Sequence, residues 1–401
     1  MQQEIKKHIL ITSSNFPSGS ASANFLNLFC KGLSELDMDT EVILIKGFWS
    51  RGSKVNHQKT NVTSYGTKYT YLGLRNRPSW LAFKLFDDLI RFFKLFSLLT
   101  SFISIRKDIV IYTYNNEFPF SLLINGFCKV SKIRVITFVP EYYDKSVFSE
   151  NIFRKLKWYG FLLDFHYVNK LSAKLIVFSK YLRDRYVADG YPTDKILIQP
   201  NLTDFGYWED KSASLQFTIG YSGTPSKKDG LEDLLRAISI VNKRGVPINS
   251  VIIGDVFSGA SVIPGFRKLC KDLDIDGTVD FTGLVSLAEV REWMNKCMIL
   301  AVTRPVIIQT MAGFPTKLGE YFACKKVVLA TRVGDVIDYF TDRSDIVFAE
   351  PSNPESIADC IDWIIKNDDR CKEIALRGNE KARRLLSYKV IVPRIMEFIL
   401  K

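Results

Sequence analysis

Met311–Thr331 reads MAGFPTKLGEYFACKKVVLAT. A Gly-Phe-Pro turn opens the stretch, and a helix carrying Leu318, Tyr321, Phe322 and Ala323 follows. The apolar run Val327-Val328-Leu329-Ala330 closes it as a buried strand. Pro315 costs little at a helix start, because first-turn N–H groups have no intrahelical partner. Those N–H groups and the aligned peptide dipoles make a place for an anion. Thr316 and Lys317 stand beside it and Glu320 lies one turn further on. Turn, short helix and buried strand in succession is the pattern of an open α/β sheet, which binds its ligands at the carboxyl ends of its strands.

The same pattern runs along the chain. In the first half, His8–Ser14, Glu41–Lys46, Asp108–Thr113, Arg134–Val139 and Lys174–Ser179 read as strands, with a helix from Ala21 to Leu36. In the second half, Phe217–Tyr221, Ile248–Gly254, Val279–Thr282 and Met298–Thr303 are strands separated by helical stretches, so a second sheet begins rather than the first continuing. The expectation is an N-terminal domain over 1–205, a C-terminal domain over 206–380 and a last helical region over 381–401 that crosses back to the first domain.

Length and composition agree with two domains. The chain has 401 residues, 47% of them hydrophobic, enough for two cores and beyond the size at which one usually keeps growing. Seven cysteines are scattered without C-x-x-C spacing, which suits reduced core thiols. Three histidines without motif spacing give no metal site. The charged start MQQEIKK leads into a strand-like run rather than the apolar core of a secretion signal, and no apolar stretch is long enough to span a bilayer. A cytoplasmic protein is therefore expected. The net charge of +12 is uneven: residues 1–200 hold 28 Lys and Arg against 16 Asp and Glu, while residues 201–401 hold 27 of each. An anionic membrane, a phosphorylated acceptor or nucleic acid would suit such a first half. Nucleic acid is disfavoured, because the basic residues are interspersed with bulky apolar ones and form no recognisable module.

Two readings stand for Trp80–Ile105. Trp80, Phe83, Phe86, Ile90, Phe93, Phe96, Leu99 and Phe102 recur at helical spacing, with Lys84, Arg91 and Lys94 among them. Either one or two helices face the first core, or part of this aromatic and basic surface rests on a membrane or a lipid-linked substrate. Residues 150–163 repeat the mixture. Glu141, directly after the strand Arg134–Val139, stands where an active-site acid belongs in this architecture; a solvated loop carboxylate is the plainer reading.

Loops supply the remaining candidates. After the first strand, Gly19, Ser20 and Ala21 let a ligand approach the backbone closely, without forming G-x-G-x-x-G. After Phe217–Tyr221 comes Ser222-Gly-Thr-Pro-Ser-Lys-Lys-Asp-Gly230, which is not a P-loop. Gly223 and Thr224 give it flexible backbone, and Lys227 and Lys228 give it positive charge before a helix. With the Gly-Phe-Pro-Thr-Lys-Leu segment, residues 313–318, on a later strand of the same sheet, two anion sites converge. Phe314, Pro315, Thr316, Lys317 and Leu318 form the second. Glu320 then suits a diol, because a carboxylate accepts hydrogen bonds from hydroxyls.

At these residues the chain resembles the family-four glycosyltransferases. The motifs are FPTKLGEYFACKKVVLAT (314–331) and GYSGTPSKKDGLEDLLRA (220–237), with weaker support from Gly19–Ala21 and from IVFSKYLRDRYVADGYPTDKILIQPN (176–201). The resemblance covers nearly the whole chain. It implies two Rossmann-like domains facing each other across a cleft, the GT-B type. It also implies transfer of a sugar, with retained anomeric configuration, from a nucleotide-diphosphate sugar to a saccharide or lipid-linked acceptor. Bacterial surface polysaccharide assembly is the expected setting, with no cofactor and no catalytic metal. The donor is UDP- or GDP-linked, and these residues do not choose between them. Lys228 matches the basic residue that holds the diphosphate, with Lys227 as helper, and Glu320 matches the carboxylate on the ribose. Gly19 and Ser20 match the loop near diphosphate and acceptor, while Glu141 is expected to contact sugar or acceptor. Peripheral contact with the inner face of the membrane is expected through the basic first half.

Three positions depart from the family. Ala312 stands where a second glutamate is frequent, Thr224 where an arginine follows the loop glycine, and Pro140-Glu141 where a histidine is common. A nucleotide-sugar-binding partner without turnover therefore remains the alternative. A nucleotide-sugar epimerase of the same build is weaker, for want of well-placed histidines and acids.

Overall fold

The computed structural model describes the chain except residues 1–4, 18–19, 47–59, 75–79, 149–151, 210–213 and 257–258, so Gly19 lies outside the described residues. Two compact units emerge: Met1–Pro200 together with Ile391–Lys401, and Asn201–Val390. The boundary thus falls at 200/201 rather than 205/206, and the return at 391 rather than 381. The reason is local: Thr203 bridges to Ser387, and the Tyr388 amide donates to the Thr203 carbonyl, which keeps the approach to the last helix in the second unit.

Among the described residues the first unit has an eight-stranded sheet. Its strands are β1 (Lys7–Thr12), β2 (Asp39–Leu44), β3 (Thr60–Val62), β4 (Lys68–Tyr71), β5 (Ile109–Tyr114), β6 (Arg134–Val139), β7 (Lys174–Val177) and β8 (Ile196–Ile198). They lie in the order β3-β4-β2-β1-β5-β6-β7-β8, parallel throughout except for the β3–β4 pair. β1 is buried from its second residue on and β5 throughout, because both faces of a parallel sheet are covered. Helices α1 (Ala21–Glu35), α2 (Leu81–Ser101), α3 (Phe120–Ser131), α4 (Ile152–Leu163) and α5 (Lys180–Ala188) intervene. Ser20 caps α1 by accepting from the Ala23 amide at 3.1 Å. Phe25 and Phe29 of α1 then meet Tyr112 and Phe138 of the sheet and Phe178 just past β7, partly edge to face.

α2 departs from its core-facing reading. Its inward stripe is Asp87, Arg91, Leu95 and Leu99, at four-residue spacing, while Phe83, Phe86, Phe93 and Phe96 are exposed. Charge can be buried here because Arg91 pairs with Asp87 at 2.7 Å, bonds the Ile45 carbonyl, and is covered by Gly73.

The second unit is a six-stranded parallel sheet of β9 (Phe217–Ser222), β10 (Ser250–Ile253), β11 (Val279–Gly283), β12 (Cys297–Val302), β13 (Val327–Thr331) and β14 (Val347–Ala349), in the order β11-β10-β9-β12-β13-β14. Its helices are α6 (Phe205–Trp208), α7 (Leu231–Lys243), α8 (Ile263–Asp272), α9 (Leu287–Asn295), α10 (Ile308–Ala312), α11 (Thr316–Ala323), α12 (Val336–Tyr339), α13 (Pro354–Lys366) and α14 (Asp368–Leu386). Strand alternation divides the core between the faces: Ile299, Ala301 and Leu329 point to one cluster, Leu300, Val302 and Val328 to the other. The last helix, α15 (Tyr388–Leu400), sets Val392 against Gly32 of α1 and Met396 against Tyr112. All seven cysteines are buried and unpaired, as their scattered spacing suggests. Among the described residues no helix is long and apolar enough to cross a membrane.

Candidate functional site

In the second sheet the chain runs from β9 outward through β10 to β11, then returns to place β12 on the other side of β9. This reversal opens a crevice at the carboxyl ends of β9 and β12, the place where an open parallel sheet binds ligands. Two loops line it, Gly223–Gly230 after β9 and the segment from Thr303 after β12. The Thr303 hydroxyl donates to the Gly230 carbonyl at 3.0 Å and holds them together. Gly230 has φ of +64°, and a Cβ there would stand 1.8 Å from the Thr303 carbonyl oxygen. Gly230→Ala therefore combines a disfavoured backbone with a main-chain clash. A loss of more than about 2 kcal/mol is expected in urea unfolding; an unchanged midpoint would refute this account of the turn.

A buried charge cluster fills the crevice floor. Lys317, near the start of α11, donates to Asp229 Oδ1 at 3.0 Å and lies 4.0 Å from the centre of the Tyr221 ring. Asp229 also accepts from the Ser226 hydroxyl at 2.6 Å, and Arg304 Nε stands 3.9 Å from its Oδ1. Burial opposes the charge on Asp229, yet Lys317, Arg304 and Ser226 together hold its carboxyl below the usual range. Burial pulls the Lys317 ammonium down to about 8, against the opposing pull of Asp229. Gly223 makes room for this lysine, since a Cβ there would meet Lys317 Nζ at 3.0 Å. One turn along α11, Glu320 is half-buried. Burial raises its carboxyl to about 7, moderated by Lys317. The loop is anchored from below: the Ser222 amide donates to Tyr321 Oη at 2.7 Å, and Tyr221 Oη donates to the Thr224 carbonyl at 3.1 Å.

The first sheet has the corresponding reversal between β1 and β5, and there a cavity of about 820 Å³ lies wholly within the first unit. Ser13, Asn116, Glu117, Glu141, Lys157 and Asp164 give it polar groups, and Phe118, Tyr143, Tyr159 and Phe161 an aromatic wall. Asp164 accepts from the Phe118 amide at 2.9 Å and from the Ser121 hydroxyl, and burial raises it to about 6.

Residues 209–381 match the family described as glycosyl transferases group 1. The HepE protein of Anabaena, solved in complex with UDP, superposes with a TM-score of 0.70 at 14% identity, covering 98% of each chain. A sucrose-phosphate synthase from Thermosynechococcus elongatus gives 0.72 at 12% identity, again covering 98% of each. The chain carries the GT-B glycosyltransferase fold. Among curated proteins, an uncharacterized glycosyltransferase of Methanocaldococcus jannaschii is 24% identical over 234 residues; these are 57% of this chain and 60% of that relative.

Within this GT-B chain, Gly223, Lys317 and Glu320 come together around the crevice, with Thr224 exposed at its edge. Lys228 is half-buried in the turn before α7, and Lys227 shares that turn. Phe314 and Leu318 face inward instead: both belong to the core of the second unit, and the Phe314 carbonyl accepts from Asn201 at 2.8 Å. Their side chains are therefore held in the core of the second unit, not presented to the crevice. Pro315 caps α11 and is buried, and Thr316 follows it half-buried. Ser20 and Glu141 belong to the first unit, where Ser20 caps α1 and Glu141 lines the cavity. Asp229, Arg304 and Tyr221 escaped the sequence reading. Arg304 stands two residues past the end of β12, in the region that the strand-end rule marks. Asp229 was obscured by the lysines before it.

Proposed function

We propose that this chain is a retaining glycosyltransferase that moves a sugar from a nucleotide-diphosphate donor to a saccharide or lipid-linked acceptor in surface polysaccharide assembly. The observation that carries the reading is the cluster of Lys317, Asp229, Gly223 and Glu320 at the β9/β12 reversal, inside the family-matched segment. Lys317 and Lys228 supply positive charge for the diphosphate, and Glu320 accepts hydrogen bonds from the ribose diol. As the anomeric C–O bond breaks, charge grows on the leaving diphosphate, and preorganised cations stabilise that change more than they stabilise the bound donor. Glu141 and the first-unit cavity hold the acceptor, and the donor is UDP- or GDP-linked. The solved relative in complex with UDP-glucose supports a nucleotide-sugar ligand for the fold.

A donor screen by thermal shift, followed by identification of released nucleotide and of the product's anomeric configuration, tests the reading. An inverted product would remove retention, and no transfer from any bound donor would favour the non-catalytic binding partner to which Ala312 and Thr224 point. Lys228→Ala is expected to weaken donor binding and turnover about 10-fold or more, the worth of one charge-assisted phosphate contact. Unchanged donor affinity and rate would remove Lys228 from the diphosphate site.

A further inference from the structure

We propose that the outward face of α2 is a docking surface for an anionic lipid bilayer, so that the acceptor taken by the first unit is membrane-borne. The helix is inside out relative to a solvated surface helix. Its Asp87 and Arg91 are buried, while Phe83, Phe86 and Phe93 are each more than 60% exposed, with Leu85, Leu89 and Phe96 beside them. Six large side chains exposed to this degree present on the order of 600–700 Å² of surface, at or beyond the upper end for a soluble monomer. The acids of α2 are neutralised by the same arginine: they are Asp87, which is buried, and Asp88, which is partly exposed, and Arg91 pairs with both. The remaining charges of the helix are Lys84 and Lys94.

The face continues to the cavity. Phe92 and Phe96 of α2 meet Phe120 and Phe127 of α3, and Phe118, just before α3, packs against Gly160 of α4. α4 repeats the composition, with Ile152, Leu156 and Tyr159 exposed and Arg154, Lys155 and Lys157 between them. Phe118, Leu156 and Tyr159 are also cavity-lining residues, so the greasy face reaches the cavity rim.

Charge and composition choose the occupant. Residues 1–200 carry a positive excess of 12, which attracts anionic headgroups at roughly 1 kcal/mol per basic residue near the surface. A second copy would bring two surfaces of the same sign together. Aromatic side chains flanked by lysines, with both acids of α2 tied to Arg91, suit the boundary between headgroups and acyl chains.

Flotation of the full chain with vesicles containing ~30% phosphatidylglycerol, against phosphatidylcholine alone, tests this at low and high salt. Binding to the anionic vesicles is expected, reduced about 10-fold or more by Phe86→Ser/Phe93→Ser and weakened by salt. Both positions are exposed, so the variant keeps its thermal transition. Absence of flotation at low salt, or equal flotation by the variant, overturns the proposal. A wild type that is dimeric in solution and a variant that is monomeric also overturns it, by assigning the face to a second copy. Nucleotide-sugar binding by the variant is measured in parallel. Its loss in both proteins would count against the transferase reading while leaving the docking surface in place.

Discussion

Replacing Asp229 with alanine is expected to lower the unfolding free energy by about 3 kcal/mol, because it leaves the buried Lys317 ammonium without its counter-charge. The Lys317 and Asp229 side chains are only 12% and 6% exposed, so water cannot take over the lost interaction. Arg304 worsens the outcome, since two cations then share a pocket whose remaining carboxyl, Glu320, is itself pushed towards the neutral form by burial. The double variant Asp229→Ala/Lys317→Met is expected to recover most of the loss, the methionine keeping the contact with Tyr221 without a charge. Urea midpoints of the four proteins in this cycle measure the coupling directly. A single variant that loses less than about 1 kcal/mol, or a double variant no better than the single, would mean that Lys317 is solvated in the free protein. The same variant separates structure from binding. Once the pair is broken, Lys317 is free to follow a bound diphosphate, so the variant recovers stability on adding donor to a greater extent than the wild type does.

Asp229 also shows what the sequence conceals. Its partner lies 88 residues away, on a helix that returns to β9 only because β12 and β13 are laid beside it. Nothing in the local string Ser-Lys-Lys-Asp-Gly marks the aspartate as the inward residue. The parallel strands were legible because sheets covered on both faces demand unbroken apolar runs, and Arg134–Val139 is found with the expected bounds. α3 gives no clear helix signal in the sequence. It starts after Pro119 with no side-chain cap and carries Asn125 and Gly126 in its interior, so neither a start signal nor a clean apolar stripe announces it. For α2 the period was visible but its direction was not. Periodicity places residues on a common face without saying which face is inward. Here the loop from Leu72 to Leu74 closes over Arg91, with the Leu74 amide donating to Asp87 at 3.2 Å. Long-range closure of this kind reverses the usual preference of aromatics for the interior.

Glu320→Gln is expected to stabilise the free protein at neutral pH while impairing donor binding. Burial raises the Glu320 carboxyl to about 7 from 4.5, with Lys317 pulling the other way. The folded state therefore binds a proton that the unfolded chain releases earlier. Its contribution to stability is fully present below pH 4.5 and is lost as pH rises through about 7. Above that range the wild type carries the cost of a half-buried carboxylate, roughly 1–3 kcal/mol after solvent screening, which the amide avoids. Urea unfolding followed across this range should show the two proteins diverging as pH rises, with the variant the more stable on the alkaline side. Parallel curves would mean that Glu320 titrates normally. The donor reverses the preference: two ribose hydroxyls need two acceptors, and the amide offers one acceptor and a donor group. Nucleotide-sugar affinity should fall about 10-fold or more in the variant. A carboxylate kept at a cost in the free chain, and repaid only when a diol arrives, is what a binding residue requires and a structural residue does not. The combination of raised stability and lost affinity therefore tests the proposed role of Glu320 more sharply than either measurement alone.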